Sequence, residues 1–268
     1  MVWICPTCGG HLAADEPPAA CPVCADERQY VSPSGQRWTT LERLAADGYR
    51  TEVRDLEPNL IGIGTHPDIG VGQRALLVQT DAGNVLWDPP GFVDEAAFDA
   101  VREAGGLVAV SSSHPHMYGA MVDWADVFGC DIVLPTADEA WLRRPTDRVR
   151  RYDATEELLP GVTLIQTGGH FPSSAVLHWA DGADGRGVLA TGDTVYVTPG
   201  LDRVTFLYSE PNRLPLWEAA VRRIADTLEP YAFERIYAGW WWSVIDDGGD
   251  AMLQRDATRY VEVLRGDV

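Results

Sequence analysis

Short apolar runs alternate along the chain with stretches of helical spacing. Leu60-Ile61-Gly62-Ile63 and Ala75-Leu76-Leu77-Val78-Gln79 read as strands. Asp81-Ala82-Gly83-Asn84 supplies a turn, and Val85-Leu86-Trp87 continues as a hairpin partner. Val93, Ala97 and Val101 recur at helical spacing until Gly105-Gly106 ends that helix. Leu107-Val108-Ala109-Val110 is apolar throughout, as a buried strand is. Tyr118, Met121, Val122, Ala125 and Phe128 make a second helical face stopped by Gly129, before the strand Ile132-Val133-Leu134. Thr136 with Glu139 predicts a capped helix that Pro145 must end. Strands are expected at Val162-Thr163-Leu164-Ile165, Val188-Leu189-Ala190 and Arg235-Ile236-Tyr237, with a surface hairpin loop over 180–186. Trp217, Ala220, Val221, Ile224 and Leu228 define one late helix; Leu253, Ala257, Tyr260, Val261 and Leu264 define the last. Hairpins mixed with strand–helix alternation predict an α/β sandwich with helices outside. The alternation occupies 36–268 and leaves 1–35 as a separate small module.

Composition narrows the partners. Hydrophobic residues at 46% and charged residues at 23% of 268 suit a soluble globular chain. Asp and Glu number 40 against 21 basic residues, a net charge of −19. Such a surface repels phosphate backbones and anionic lipid, so neither nucleic acid nor a membrane is an expected partner. No run approaches the roughly 18 apolar residues of a membrane span. Met1-Val2-Trp3-Ile4-Cys5 lacks the basic-then-apolar pattern of a secretory signal, so a cytoplasmic location is expected.

Four of the five cysteines lie in the first 24 residues, as Cys5-Pro6-Thr7-Cys8 and Cys21-Pro22-Val23-Cys24. Two such Cys-x-x-Cys turns can bring four thiolates to one ion in a tetrahedron. Soft sulfur selects zinc or iron over hard cations; disulfides, the alternative, are disfavoured in a reducing compartment. The segment resembles the short rubredoxin-like knuckle at the end of rubrerythrins. That resemblance spans about 25 residues and implies one ion without choosing its element. A module with so little core depends on its metal to fold. Cys130 reads as a small buried apolar residue.

Histidines carry the chemistry. His114-Pro115-His116 follows the buried strand ending at Val110. Residues two apart in an extended segment point the same way, and Pro115 favours the extended region for His114. His170 follows a strand and Gly168-Gly169; Asp193 follows another strand and Gly192. Three imidazoles and a carboxylate, all just beyond strand ends, suit one divalent ion.

The order of these motifs over residues 50 to 268 resembles the metallo-β-lactamase superfamily. Ser113-His114-Pro115-His116-Met117-Tyr118-Gly119 matches its Thr/Ser-His-x-His-x-Asp-His, Gly169-His170 its Gly-His, and Gly192-Asp193 its Gly-Asp. The resemblance implies an αββα sandwich with its metal site at one edge. It also marks departures: Tyr118 replaces the motif's Asp, Gly119 its next His, and Trp240 the C-terminal His. Those are second-metal ligands in binuclear members, so the resemblance implies a single zinc or iron held by His114, His116, His170 and Asp193.

The expected activity is hydrolysis of a small ester, thioester, lactone or amide by one metal-activated water. Asp193 is then the candidate proton acceptor, and the Tyr118 phenol either packs, donates to an oxyanion or ligates iron. His66, in a loop that overhangs the site in the superfamily, and Trp240 are candidate substrate contacts; His178 reads as structural. An iron-dependent dioxygenase fed by the knuckle, and a non-catalytic binding member of the fold, are the alternatives. A small-molecule substrate is the expected partner, and the knuckle could also mediate homo-oligomer contacts.

Overall fold

In a computed structural model, described for residues 1–138 and 140–268, the chain divides into two compact units, Met1–Tyr152 and Asp153–Val268.

The first unit starts with a hairpin, β1 (Val2–Ile4) and β2 (His11–Ala13), between whose strands the first cysteine pair sits. A short helix, α1 (Leu41–Ala46), is capped by the Thr40 side chain. The remaining strands are β3 (Arg50–Glu57), β4 (Leu60–His66), β5 (Ala75–Thr80), β6 (Gly83–Trp87), β7 (Ala109–Ser111), β8 (Asp131–Pro135) and β9 (Val149–Tyr152). They form one seven-stranded sheet in sequence order. Pairing is antiparallel from β3 to β6, with two-residue turns joining β3 to β4 and β5 to β6 and a longer loop joining β4 to β5, and parallel from β6 to β9, where crossovers connect the strands. The crossovers include α2 (Glu95–Glu103), capped by Asp94, and α3 (Met121–Phe128), which ends where Gly129 adopts a left-handed φ of 65°. Leu77, Leu86, Val101, Met121, Trp124 and Ile132 lie in its core.

The second unit holds a six-stranded sheet ordered β10 (Thr155–Leu159), β11 (Val162–Gln166), β12 (Ala175–Trp179), β13 (Val188–Gly192), β18 (Arg235–Ala238) and β19 (Val244–Ile245). β12 and β13 are buried along their whole length. A helical turn, α4 (Gly182–Gly185), links them, with Ala183 and Asp184 in left-handed conformation. Between β13 and β18 come two small hairpins, β14 (Tyr196–Val197) with β15 (Val204–Thr205) and β16 (Leu207–Ser209) with β17 (Leu214–Pro215), and then α5 (Glu218–Leu228). The last helix, α6 (Gly249–Arg265), packs with α5 around Val221, Ile224, Leu253, Ala257 and Val261.

Several local expectations are corrected. The helix expected from Thr136 is a single 3-10 turn, Thr136–Asp138, and Glu139, its capping partner, lies outside the described residues. The loop over 180–186 contains α4 and buries Gly182 and Ala183. The α3 helix starts at Met121, because Gly119 at φ 41° breaks the helical path after Tyr118. No helix among the described residues is long and apolar enough to cross a membrane.

Candidate metal centres

The four thiols at the N-terminus lie close together and buried, and all four are free. Cys5 Sγ is 3.6 Å from Cys24 Sγ, and Cys8 Sγ 3.7 Å from Cys21 Sγ. A tetrahedron of sulfurs about 2.3 Å from one ion has edges of about 3.8 Å, so the cluster has the dimensions of an S4 metal site. Gln36 supports it twice: its Nε2 donates to Cys5 Sγ at 3.4 Å, and its Oε1 accepts from Cys21 N at 2.9 Å.

In the first unit, His114 is extended at φ −173° and ψ 172°, and Pro115–Met117 then turns in a 3-10 helix. That turn, rather than an extended segment, brings the two imidazoles together, with ring centroids 5.1 Å apart. Behind His114 stands a polar chain that sequence reasoning missed. Ser113 Oγ lies 2.9 Å from His114 Nδ1, and the fully buried Asp88 accepts from Ser113 N at 2.6 Å, Ser113 Oγ at 2.9 Å and Ser112 Oγ at 2.8 Å. With Nδ1 facing the serine, Nε2 is the nitrogen that could hold an ion. Burial pushes the Asp88 carboxyl up to about 6, against the bonds from Ser113 and Ser112 and the charge of His114. The available signal was a lone acid just past the strand ending at Trp87.

In the second unit, β11 runs into Gly168 and Gly169, at φ +64° and +110°. A Cβ on Gly168 would stand 2.7 Å from Arg223 Nη2 and one on Gly169 2.9 Å from Ile224 Cδ1; both contacts are to side-chain ends on α5 that can shift, so it is the positive φ of the two residues that favours glycine here. Arg223 Nε donates to Thr167 O at 3.0 Å, and Ser174 Oγ accepts from Phe171 N at 2.8 Å, bracketing His170. Asp193 follows β13, where Thr191 Oγ1 donates to Val195 O at 2.8 Å and closes the turn. Its carboxylate lies 3.9 Å from His170 Nε2.

One ligand atom each from His114, His116, His170 and Asp193 lies within 4.8 Å of the other three, and all four residues are buried. Three imidazole nitrogens and a carboxylate oxygen fit zinc or ferrous iron. The other expected site residues lie as follows. Tyr118 is buried, and its ring lines a narrow cavity with Pro115, Trp38 and Trp141. His66 is exposed at the end of β4. Trp240 is half-buried beside Tyr196, ring centroids 5.3 Å apart, and Trp242 is exposed. His178 donates through Nε2 to Ala232 O at 2.8 Å, a structural bond.

No family model matches the chain. Over 269 residues it is 38% identical to the uncharacterized protein YmaE of Bacillus subtilis (strain 168), covering 99% of this chain and 98% of that one. The chain belongs to the YmaE family. Solved structures similar to this YmaE relative are metallo-β-lactamases. DIM-1 superposes with a TM-score of 0.58 at 14% identity, covering 80% of this chain and 98% of that one. A motif mutant of the enzyme from Cronobacter sakazakii gives 0.51 at 16% identity, covering 81% and 97%. VMB-1 gives 0.59 at 14% identity, covering 80% and 98%. The YmaE relative therefore has the metallo-β-lactamase fold, the αββα class expected from its motifs, with a four-cysteine cluster ahead of it.

Proposed function

We propose that the protein is a metal-dependent hydrolase of a small ester, thioester, lactone or amide, with one ion in the His114–His116–His170–Asp193 cluster and a second in the knuckle. The observation that carries this reading is the gathering of four buried donors within 4.8 Å, in the motif order of a hydrolytic fold. An ion bound there lowers the pKa of a water to about 7 and polarises a carbonyl oxygen. The chain's own residues supply the rest. The Asp88–Ser113 pair fixes the His114 ring and its tautomer. Asp193 is the one carboxylate of the cluster and accepts the proton of the attacking water. Tyr118, Gly119 and Trp240 offer no second set of strong ligands, which supports a mononuclear site. Trp240 and His66 are the proposed substrate contacts, and the net charge of −19 favours a neutral or cationic substrate over an anionic one.

Metal analysis of the purified protein, with assays on thioester, lactone and ester substrates, tests this. The expected result is two ions per chain, one lost in His114→Ala or His170→Ala together with a fall in kcat/KM of about a thousandfold or more. Three ions per chain would rule out the mononuclear site. Iron in the histidine cluster with substrate-dependent oxygen uptake would replace hydrolysis with oxygen chemistry.

A further inference from the structure

We propose that His11 is a positioning residue that couples the four-cysteine knuckle to the turn presenting His116, so that the knuckle ion sets the affinity of the second site. This inference rests on the reading of the histidine cluster as a metal site.

All the residues involved belong to the first unit. The knuckle meets the body backbone to backbone. A Cβ on Gly91 would stand 2.6 Å from Gly9 O, and one on Gly70 2.6 Å from Gly9 N and 2.7 Å from the Cys8 carbonyl carbon. Gly9 directly follows a thiolate ligand, so the ion and this seam constrain the same few atoms. Two residues on, His11 is buried and spans the seam. Its Nε2 donates to Gly91 O at 2.8 Å, and its Nδ1 stands 3.4 Å from the Asp123 carboxylate of α3. Burial would raise Asp123, but His11 and Arg144 together hold it below the usual carboxylate range.

The Gly91 end of that span reaches the ligand turn. Pro90, next to Gly91, accepts from Ala120 N at 2.9 Å. A Cβ on Gly119 would lie 2.1 Å from Pro89 O and 2.3 Å from Pro90 O. The 88–91 loop thus grips the chain immediately after His116-Met117-Tyr118. From the other side, Cys21, Pro22 and Val23 share a cavity with Pro115, Tyr118 and Gly119, so the second thiolate turn walls the same segment. His116 lies between two of those wall residues. A knuckle without its ion has only a three-residue hairpin of its own and loses the shape that holds this seam.

Cobalt titration tests the coupling, because thiolate and imidazole sites differ in spectrum. Wild-type protein is expected to fill the knuckle first, with sulfur-to-metal charge-transfer bands, and then a second site with weaker visible bands. His11→Ala and Asp123→Asn should keep the charge-transfer bands and weaken the second site by about tenfold. Val101→Ala, a core truncation elsewhere in the same unit, should leave that affinity within a few-fold. Wild-type affinity in His11→Ala and Asp123→Asn would overturn the proposal. So would an equal loss in Val101→Ala, which would trace the effect to general destabilisation. A wild-type protein that takes no second ion would overturn the metal-site reading itself, and the coupling with it.

Discussion

His114 illustrates how a candidate ligand is held in place by its neighbours. Its Nδ1 faces Ser113 Oγ, and Ser113 in turn donates to Asp88, so ring rotation and tautomer are both constrained. Asp88→Asn keeps the shape but replaces one acceptor oxygen by a donor. Metal affinity at the histidine cluster should fall about tenfold, read by competition with a chelating dye. His178 makes a separate prediction. Burial, partly offset by its bond to Ala232, lowers its pKa below the ordinary imidazole value. The unfolded chain therefore takes up a proton near pH 6.5 that the native state refuses. Stability contributed by the neutral ring is complete above that pH and is lost as pH falls toward the lowered native value. Urea midpoints of His178→Gln between about pH 5 and 7 should fall less steeply on acidification than those of wild type.

Among the elements, the 3-10 turn Pro115–Met117 and the start of α3 depend on two glycine-enforced approaches. Gly119 has φ 41° and no room for a methyl group against Pro89 and Pro90. Gly119→Ala is expected to destabilise by about 3 kcal/mol, from overpacking against rigid carbonyls combined with backbone strain. Calorimetry checks this, and a change under 1 kcal/mol would show that the loop yields. At Gly129, where the same φ class meets open space, alanine costs only the left-handed conformation, about 1 kcal/mol. The contrast between the two glycines separates packing from backbone preference.

At the scale of the molecule, an ion held by the four cysteines of the knuckle would contribute directly to folding energy. Ile4 of the first strand belongs to a buried cluster with Leu44, Ile69 and Phe92, and it exchanges two backbone hydrogen bonds of 2.9 Å with Thr39. Binding an ion to the folded state alone raises stability by mass action. Removing both ions with a strong chelator should lower the unfolding temperature. Hydrogen exchange should then rise in residues 1–35 and around Gly70 and Gly91, while β12 and β13, buried along their length, keep their protection. Uniform loss of protection through the second unit would contradict this.

Some of this was legible from the chain alone. Cysteine spacing announced the S4 cluster, because two-residue spacers geometrically commit a pair of thiolates to one ion. Strand–helix alternation and the order His-x-His, Gly-His, Gly-Asp announced the fold and the four donors, because those motifs sit where apolar strands end. Periodicity also located α2, α5 and α6, whose buried faces repeat regularly. What it missed has a common cause. The edge strands β3, β9 and β10 are half-exposed, so no apolar run marks them. His11 and Asp88 gain their roles from partners 80 and 25 positions away, at Gly91 and Ser113. The pairing of His114 with His116 came from a 3-10 turn that a strand reading did not contain. Local sequence determines which chemical groups exist and which segments are stiff; only the tertiary packing decides which distant backbone carbonyl or carboxylate a buried side chain must satisfy.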